Sequence, residues 1–174
     1  MIRIDFKKNK EKESVQLNKD DKDFVSLSID QATSKSGYSI TKNGELEVYG
    51  LINTTKEEDK IYKIKEYLKY LINSYNPDIV VLENVQYQSN PQTLILLSKL
   101  LGVLEYTAKS MDKEVIIIPP KTWKSGCGIK GKRRKEQKKE TVKFIKNNYN
   151  INVPEDIADA ISINHYIKEV ICNQ

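Results

Sequence analysis

Cysteine and histidine are nearly absent from this chain of 174 residues: Cys127 and Cys172 are the only thiols and His165 the only imidazole. Two cysteines are too few for a disulfide framework or a zinc cluster, so the composition points to a reducing, intracellular, cytoplasmic setting. No window approaches the eighteen consecutive apolar residues that a membrane-spanning helix needs, and the chain reads as soluble. Charge begins at the third residue, with no apolar stretch and small-residue cleavage site behind it, which argues against a secretory signal. Internal repeats are missing too. What remains is an ordinary globular composition, 39% hydrophobic, long enough for one domain with a full core. The net charge of +5 is modest, but it is unevenly spread.

Thirteen of the first twenty-three residues are charged and show little sustained period. Residues 1–23 therefore read as a loosely attached arm, with an edge strand at "MIRIDF" as the alternative. Beyond it, "FVSLSID" alternates and ends at Asp30, and "GYSITK", Asn43-Gly44 and "ELEVYGLI" give the strongest hairpin signal in the chain. Three consecutive antiparallel strands are expected. Thr54 or Thr55, followed three residues later by Glu57 or Glu58, predicts a capping box. The helix it opens has apolar residues at Ile61, Ile64, Leu68, Leu71, Ile72 and Tyr75, and Pro77 stops it. "DIVVLEN" reads as a buried strand delivering Glu83 at its end. Asn90-Pro91 supplies an N-cap and first-turn proline for a helix over 91–109. That helix carries two apolar stripes: Leu94, Leu97, Leu101, Leu104 and Ala108 form one, Leu96, Leu100 and Val103 the other. One sheet cannot cover both, so an adjacent helix or a second copy of the chain must cover the second. "EVIIIPP" predicts another buried strand, followed by a basic segment with a helix in its second half, and a last helix follows Pro154. The order strand, strand, strand, helix, strand, helix, strand, helix, helix predicts a mixed α/β domain.

Four acids stand out. Asp30 and Glu83 end apolar strands, where α/β sheets usually place their ligands. Asp156 and Asp159, three apart in "VPEDIADAISI", share one face of the last helix. Singly, each reads equally well as a turn residue or a dipole-complementing acid. Brought together, however, four carboxylates would raise one another's pKa and destabilise the fold unless a cation compensated them. Oxygen donors without His or Cys indicate Mg²⁺ or Mn²⁺ rather than zinc. Such a site suits two-metal phosphodiester hydrolysis, one ion making hydroxide and the other stabilising the leaving oxygen.

The basic segment agrees with a nucleic-acid substrate. From Lys121 to Lys146, "KTWKSGCGIKGKRRKEQKKETVKFIK" holds eleven Lys or Arg against Glu136 and Glu140, with three glycines loosening its first half. In "IKGKRRK", Lys130, Lys132, Arg133, Arg134 and Lys135 repel one another unless phosphates neutralise them. Such contacts give salt-sensitive affinity and little base specificity. Trp123 is a candidate for stacking on a base, or equally a packing residue.

These motifs, in their order and spacing, resemble the RuvC group of Holliday-junction resolvases in the ribonuclease-H-like superfamily. The resemblance runs from Phe24 to about Val170. "SIDQATSKSGYSI" looks like the family's first strand, with a metal-binding aspartate at Asp30 and a Gly-Tyr pair at Gly37 and Tyr38. "VLENVQYQSN" is similar to the second acidic strand, with Glu83. "LLGVLEYTA" matches the helix carrying Gly102 and Val103, and "DIADAIS" resembles the terminal helix with ligands Asp156 and Asp159. Lys124 and Lys135 fall where the family keeps lysines that contact DNA near the scissile phosphate.

Two departures are visible. Gln31-Ala32 stands where Pro-Gly is common, and Gln86 stands where some members carry an aromatic wedge, with Tyr87 one place later as the DNA-contacting aromatic. The arm and the "KGKRRK" loop look closer to phage-encoded relatives in a bacterial host. The resemblance implies a ribonuclease-H-like five-stranded mixed sheet flanked by helices, with residues 24–174 as the nuclease domain. It also implies an Mg²⁺-dependent endonuclease, with Mn²⁺ as substitute and two ions per site. The enzyme would work as a homodimer on four-way or other branched DNA and leave 5′-phosphates. A branched-DNA-binding protein without chemistry and a ribonuclease of the same superfamily stay open as alternatives.

Overall fold

The structure, a computed structural model, describes residues 23–87 and 90–172. Of the charged arm only Asp23 falls within these limits, and the strand considered at "MIRIDF" lies outside them. The elements are β1 (Val25–Asp30), β2 (Lys35–Lys42), β3 (Glu45–Asn53), α1 (Lys60–Tyr75), β4 (Ile79–Glu83), α2 (Pro91–Ser110), β5 (Glu114–Ile118), α3 (Pro120–Gly126), α4 (Arg134–Tyr149) and α5 (Glu155–Cys172). One five-stranded sheet has the order β3-β2-β1-β4-β5. β1, β2 and β3 are antiparallel neighbours, while β4 pairs parallel to both β1 and β5. This is the five-stranded mixed sheet that the resemblance implies.

The hairpin forms at Asn43-Gly44, both at positive φ (51° and 79°), the left-handed pair that a two-residue loop between right-twisted strands requires. Strand parity then sorts the two faces of the sheet. Leu27 and Ile29 of β1 and Val80 and Leu82 of β4 point to α1 and α2, into a core with Ile64, Leu68, Leu100 and Leu104. Ile79 and Val81 point the other way, to α3 and α5, against Trp123, Ile163 and Ile167. α4 packs outside α5 around Ile145, Ile157 and Ile161.

On that second face β1 presents serines instead of aliphatics, and they are buried with Ser39 and Asn164. Ser26 Oγ donates to Asn164 Oδ1 at 2.6 Å, and Ser28 Oγ donates to the Ala160 carbonyl at 2.6 Å. Asn164 Nδ2 donates to the Ser39 carbonyl at 2.9 Å. α5 is therefore fastened to the sheet by satisfied hydrogen bonds, each net worth about 1 kcal/mol. It also lies very close: a Cβ on Gly37 would sit 1.8 Å from the Asp156 carbonyl oxygen.

Three local expectations need correction. The cap of α1 is Asp59, whose side chain accepts from the Tyr62 N–H, and not Thr54 or Thr55. Thr54 is buried and donates its hydroxyl to the Thr33 carbonyl at 3.1 Å, tying β3's end to the β1–β2 connection, so it is not available as a cap. The basic segment begins with a short helix, α3, that its glycines obscured. Gly126 there serves close packing, since a Cβ would meet the Tyr166 ring at 2.2 Å. Of the two apolar stripes on α2, Leu100, Leu104 and Ala108 are buried, α1 packing alongside, and Leu96 stays exposed, as do Ile95 and Tyr106 outside either stripe.

Candidate active site

Asp30 and Glu83 have the parity of Ser26/Ser28 and of Ile79/Val81, so both emerge on the α5 side of the sheet. Parallel pairing, with Ile29 opposite Leu82, sets the two strand ends side by side. The first two turns of α5, held close at Gly37, add Asp156 and Asp159. All four carboxylates line one cavity of about 360 Å³, joined by Gln31, Tyr87, Lys124, Arg134, Gln137 and Lys138.

The electrostatics of this cavity show strain. Burial, then the charges of Glu83, Asp159 and Asp156, push Asp30 well above the usual carboxylate range against a lowering influence from Lys124. Burial lifts Glu83 to about 7, opposed by a hydrogen bond from Trp123 and by Lys124 and Arg134. Burial lifts Asp159 to about 6, opposed by Lys124, Lys138 and the Thr141 hydroxyl. Asp159 Oδ1 is buried without a hydrogen-bond partner, a cost of about 1–3 kcal/mol for any acceptor left so.

Among the described residues, no three His, Cys, Asp or Glu side chains stand as a ready-made ligand cluster. The fit to a divalent cation rests instead on an all-oxygen donor set in one pocket and on that orphaned, buried oxygen. Both match a hard ion such as Mg²⁺ or Mn²⁺.

The basic residues divide. Lys124 on α3 and Arg134 on α4 line the cavity, whereas Lys130, Lys132, Arg133 and Lys135 are exposed and do not. One helical turn after Arg134, Lys138 takes the inward place, with its Nζ 2.6 Å from Glu155 Oε2. Sequence reasoning missed Lys138 as a site residue, though its i, i+4 spacing from Arg134 carries the signal. Tyr87 lines the cavity and is 86% exposed.

Of the two readings open for Trp123, packing is the one the structure bears out. The side chain is fully buried, so it offers no face to a base, and its Nε1 donates to Glu83 Oε1 at 2.8 Å. Gln31 stood out in the sequence only as a departure from Pro-Gly. Its side chain in fact hydrogen-bonds both the N–H and the carbonyl of Glu83.

Comparison with known proteins gives these features a family context. The family model described as crossover junction endodeoxyribonuclease RuvC matches residues 26–165. The crossover junction endodeoxyribonuclease RuvC of Dictyoglomus turgidum is 30% identical over 147 residues, covering 80% of this chain and 93% of that protein. Its namesake from Caldanaerobacter subterraneus is 30% identical over 144 residues, covering 79% and 87%. Among solved structures, T. thermophilus RuvC in complex with Holliday junction substrate superposes with a TM-score of 0.69 at 15% identity, over 84% of this chain and 94% of that one. The Fowlpox virus resolvase with substrate Holliday junction DNA gives 0.58 at 20% identity, over 84% and 97%.

Proposed function

This chain belongs to the RuvC family of crossover junction endodeoxyribonucleases, and we propose accordingly that Asp30, Glu83, Asp156 and Asp159 are the carboxylates of its hydrolytic site. The enzyme is a structure-selective Holliday-junction nuclease. The observation that carries the site assignment is the convergence of four acids, from three elements distant in sequence, on one pocket with a buried carboxylate oxygen lacking a partner.

Mg²⁺, replaceable by Mn²⁺ and bound as two ions, would be held by these acids and would supply an activated water and stabilisation of the leaving oxygen. Asp30, which feels the charges of Glu83, Asp159 and Asp156, would be shared by the ions. Glu83 and Asp159 would hold one each, and Asp156 would complete the set or orient the water. Lys124, joined by Arg134 and Lys138, balances negative charge gathering on the phosphate in the transition state. Lys130, Lys132, Arg133 and Lys135, outside the cavity, hold backbone phosphates farther along the DNA. Tyr87, at the cavity rim, packs against an unstacked base at the branch. Products carry 5′-phosphates. Two copies, joined through the exposed apolar face of α2, cut two strands symmetrically within the cell.

A cleavage gel over labelled four-way, Y-shaped and linear DNA, with an RNA duplex alongside, tests this reading. Metal-dependent cutting of the branched DNAs is expected, and binding without cutting in Mg²⁺ or Mn²⁺ would return the chain to a DNA-binding role. Asp30→Asn keeps the shape and removes the charge, so cleavage should fall by about 10²- to 10³-fold, as for removal of a charge-stabilising group at a reacting centre. Binding of the four-way junction should persist. An Asp30→Asn variant as active as the parent refutes the site.

A further inference from the structure

Glu83 is gripped at both ends, at its backbone by Gln31 and at its carboxylate by Trp123. The β1–β4 ladder ends at the pair Ile29–Leu82. Beyond it the Gln31 side chain takes over: Oε1 accepts from the Glu83 N–H at 3.1 Å, and Nε2 donates to the Glu83 carbonyl. A carboxamide carries donor and acceptor side by side, as a peptide unit does, so one side chain substitutes for a strand where the backbone has turned away.

At the carboxylate end, Trp123 Nε1 donates to Oε1 at 2.8 Å. The indole is immobilised among Ile79, Val81, Ile116, Ile118 and Ile163. The Nζ of Lys124 lies 5.0 Å from the same ring's centroid. The apolar contacts account for burial of the ring, whereas only its N–H can fix the orientation of a carboxylate. Indole has a single N–H, so it engages Oε1 alone, and Glu83 still lines the cavity.

We propose that Gln31 and Trp123 are positioning residues that fix the Glu83 carboxylate in the site, Trp123 setting Lys124 as well. The proposal rests on the reading of Glu83 as a site carboxylate. It has a spectroscopic consequence: Trp123 is the single tryptophan of the chain, so its emission reports directly on Glu83.

The test uses the full chain without DNA, titrated with Mn²⁺ while tryptophan emission is recorded and free Mn²⁺ is counted by electron paramagnetic resonance. Parent emission should change saturably, with the midpoint of Mn²⁺ binding. Gln31→Leu and Trp123→Phe should each raise that binding midpoint by about 10- to 100-fold, the usual cost of losing a group that orients a ligand. On four-way junction DNA, kcat should fall comparably with KM within about twofold. Gln31→Leu, at a half-buried loop position, should unfold as cooperatively as the parent at a modestly lower urea midpoint, for the two hydrogen bonds lost, and it carries the test alone if Trp123→Phe does not fold. Mn²⁺ binding that leaves the parent's emission unchanged overturns the proposal. So does a Gln31→Leu protein that binds Mn²⁺ and cuts as the parent does. A parent that shows the emission change and the Gln31→Leu shift but cuts no DNA refutes the nuclease reading and leaves the positioning role standing.

Discussion

Among individual residues, those of the pocket store unfavourable charge. Glu83 and Asp159 have ordinary values of 4.5 and 3.8 and are lifted to about 7 and about 6 in the fold. Between roughly pH 4 and 7 the folded chain thus holds protons that the unfolded chain has released. Their contribution to stability is full below pH 4 and is lost as pH rises through 6 to 7. In the absence of divalent ions, the site should make the protein less stable at pH 8 than at pH 5. Glu83→Gln should flatten this dependence, gaining roughly 2–4 °C in Tm at pH 8 for each 1 kcal/mol relieved. Millimolar Mg²⁺ at pH 8 should raise the parent's Tm and leave Glu83→Gln less changed. Scanning calorimetry at the two pH values checks all three, and a pH dependence identical in parent and variant would contradict the strain. The acids themselves were legible in the sequence, because a strand-ending carboxylate and a three-residue spacing are local features. The partners of Glu83 were not. Gln31 and Trp123 lie 52 and 40 residues from it, and no period in the sequence connects them.

One level up, among the helices and strands, the seating of α5 decides whether a site exists. Gly37 lets its first turn approach the sheet, and a Cβ there would overlap the Asp156 carbonyl. Gly37→Ala should displace the acid-bearing turn and destabilise the fold by about 1–3 kcal/mol, as overpacking does. It should cut cleavage far more than junction binding, because the basic loop lies elsewhere. Urea unfolding and a binding–cleavage pair of assays measure both effects, and full activity at parental stability would show that α5 tolerates the shift. Strands, hairpin and the long helices were readable from period and turn chemistry. The α1 cap was not, since Thr54 is drawn into a tertiary hydrogen bond with Thr33 and Asp59 serves instead. α3 was hidden because its lysines and the glycines in and after it resemble loop composition while its one large apolar residue, Trp123, packs against the sheet.

Across the molecule as a body, two surfaces make predictions. Ile95, Leu96 and Tyr106 leave an apolar face on α2, with 55%, 42% and 75% exposure. If copies join there, Ile95→Glu with Leu96→Glu should convert a dimer to a monomer in sedimentation at micromolar concentration without altering the far-UV spectrum. A parent that is already monomeric would remove this interface. The exposed cluster Lys130, Lys132, Arg133 and Lys135 should dominate the salt dependence of binding. Replacing all four with alanine should reduce the slope of log K against log salt by up to roughly 3–4, near 0.9 for each phosphate no longer neutralised. An unchanged slope would place the DNA elsewhere. The alternation of strands and helices and the candidate acids were already written in the order of residues, since these follow from side-chain period and turn chemistry within a few positions, while the mixed sheet was implied by the family resemblance. Which face of the sheet the acids share, which cations stand inside the cavity and what holds Glu83 emerged only on folding, because strand parity, helix seating and burial arise between residues far apart along the chain.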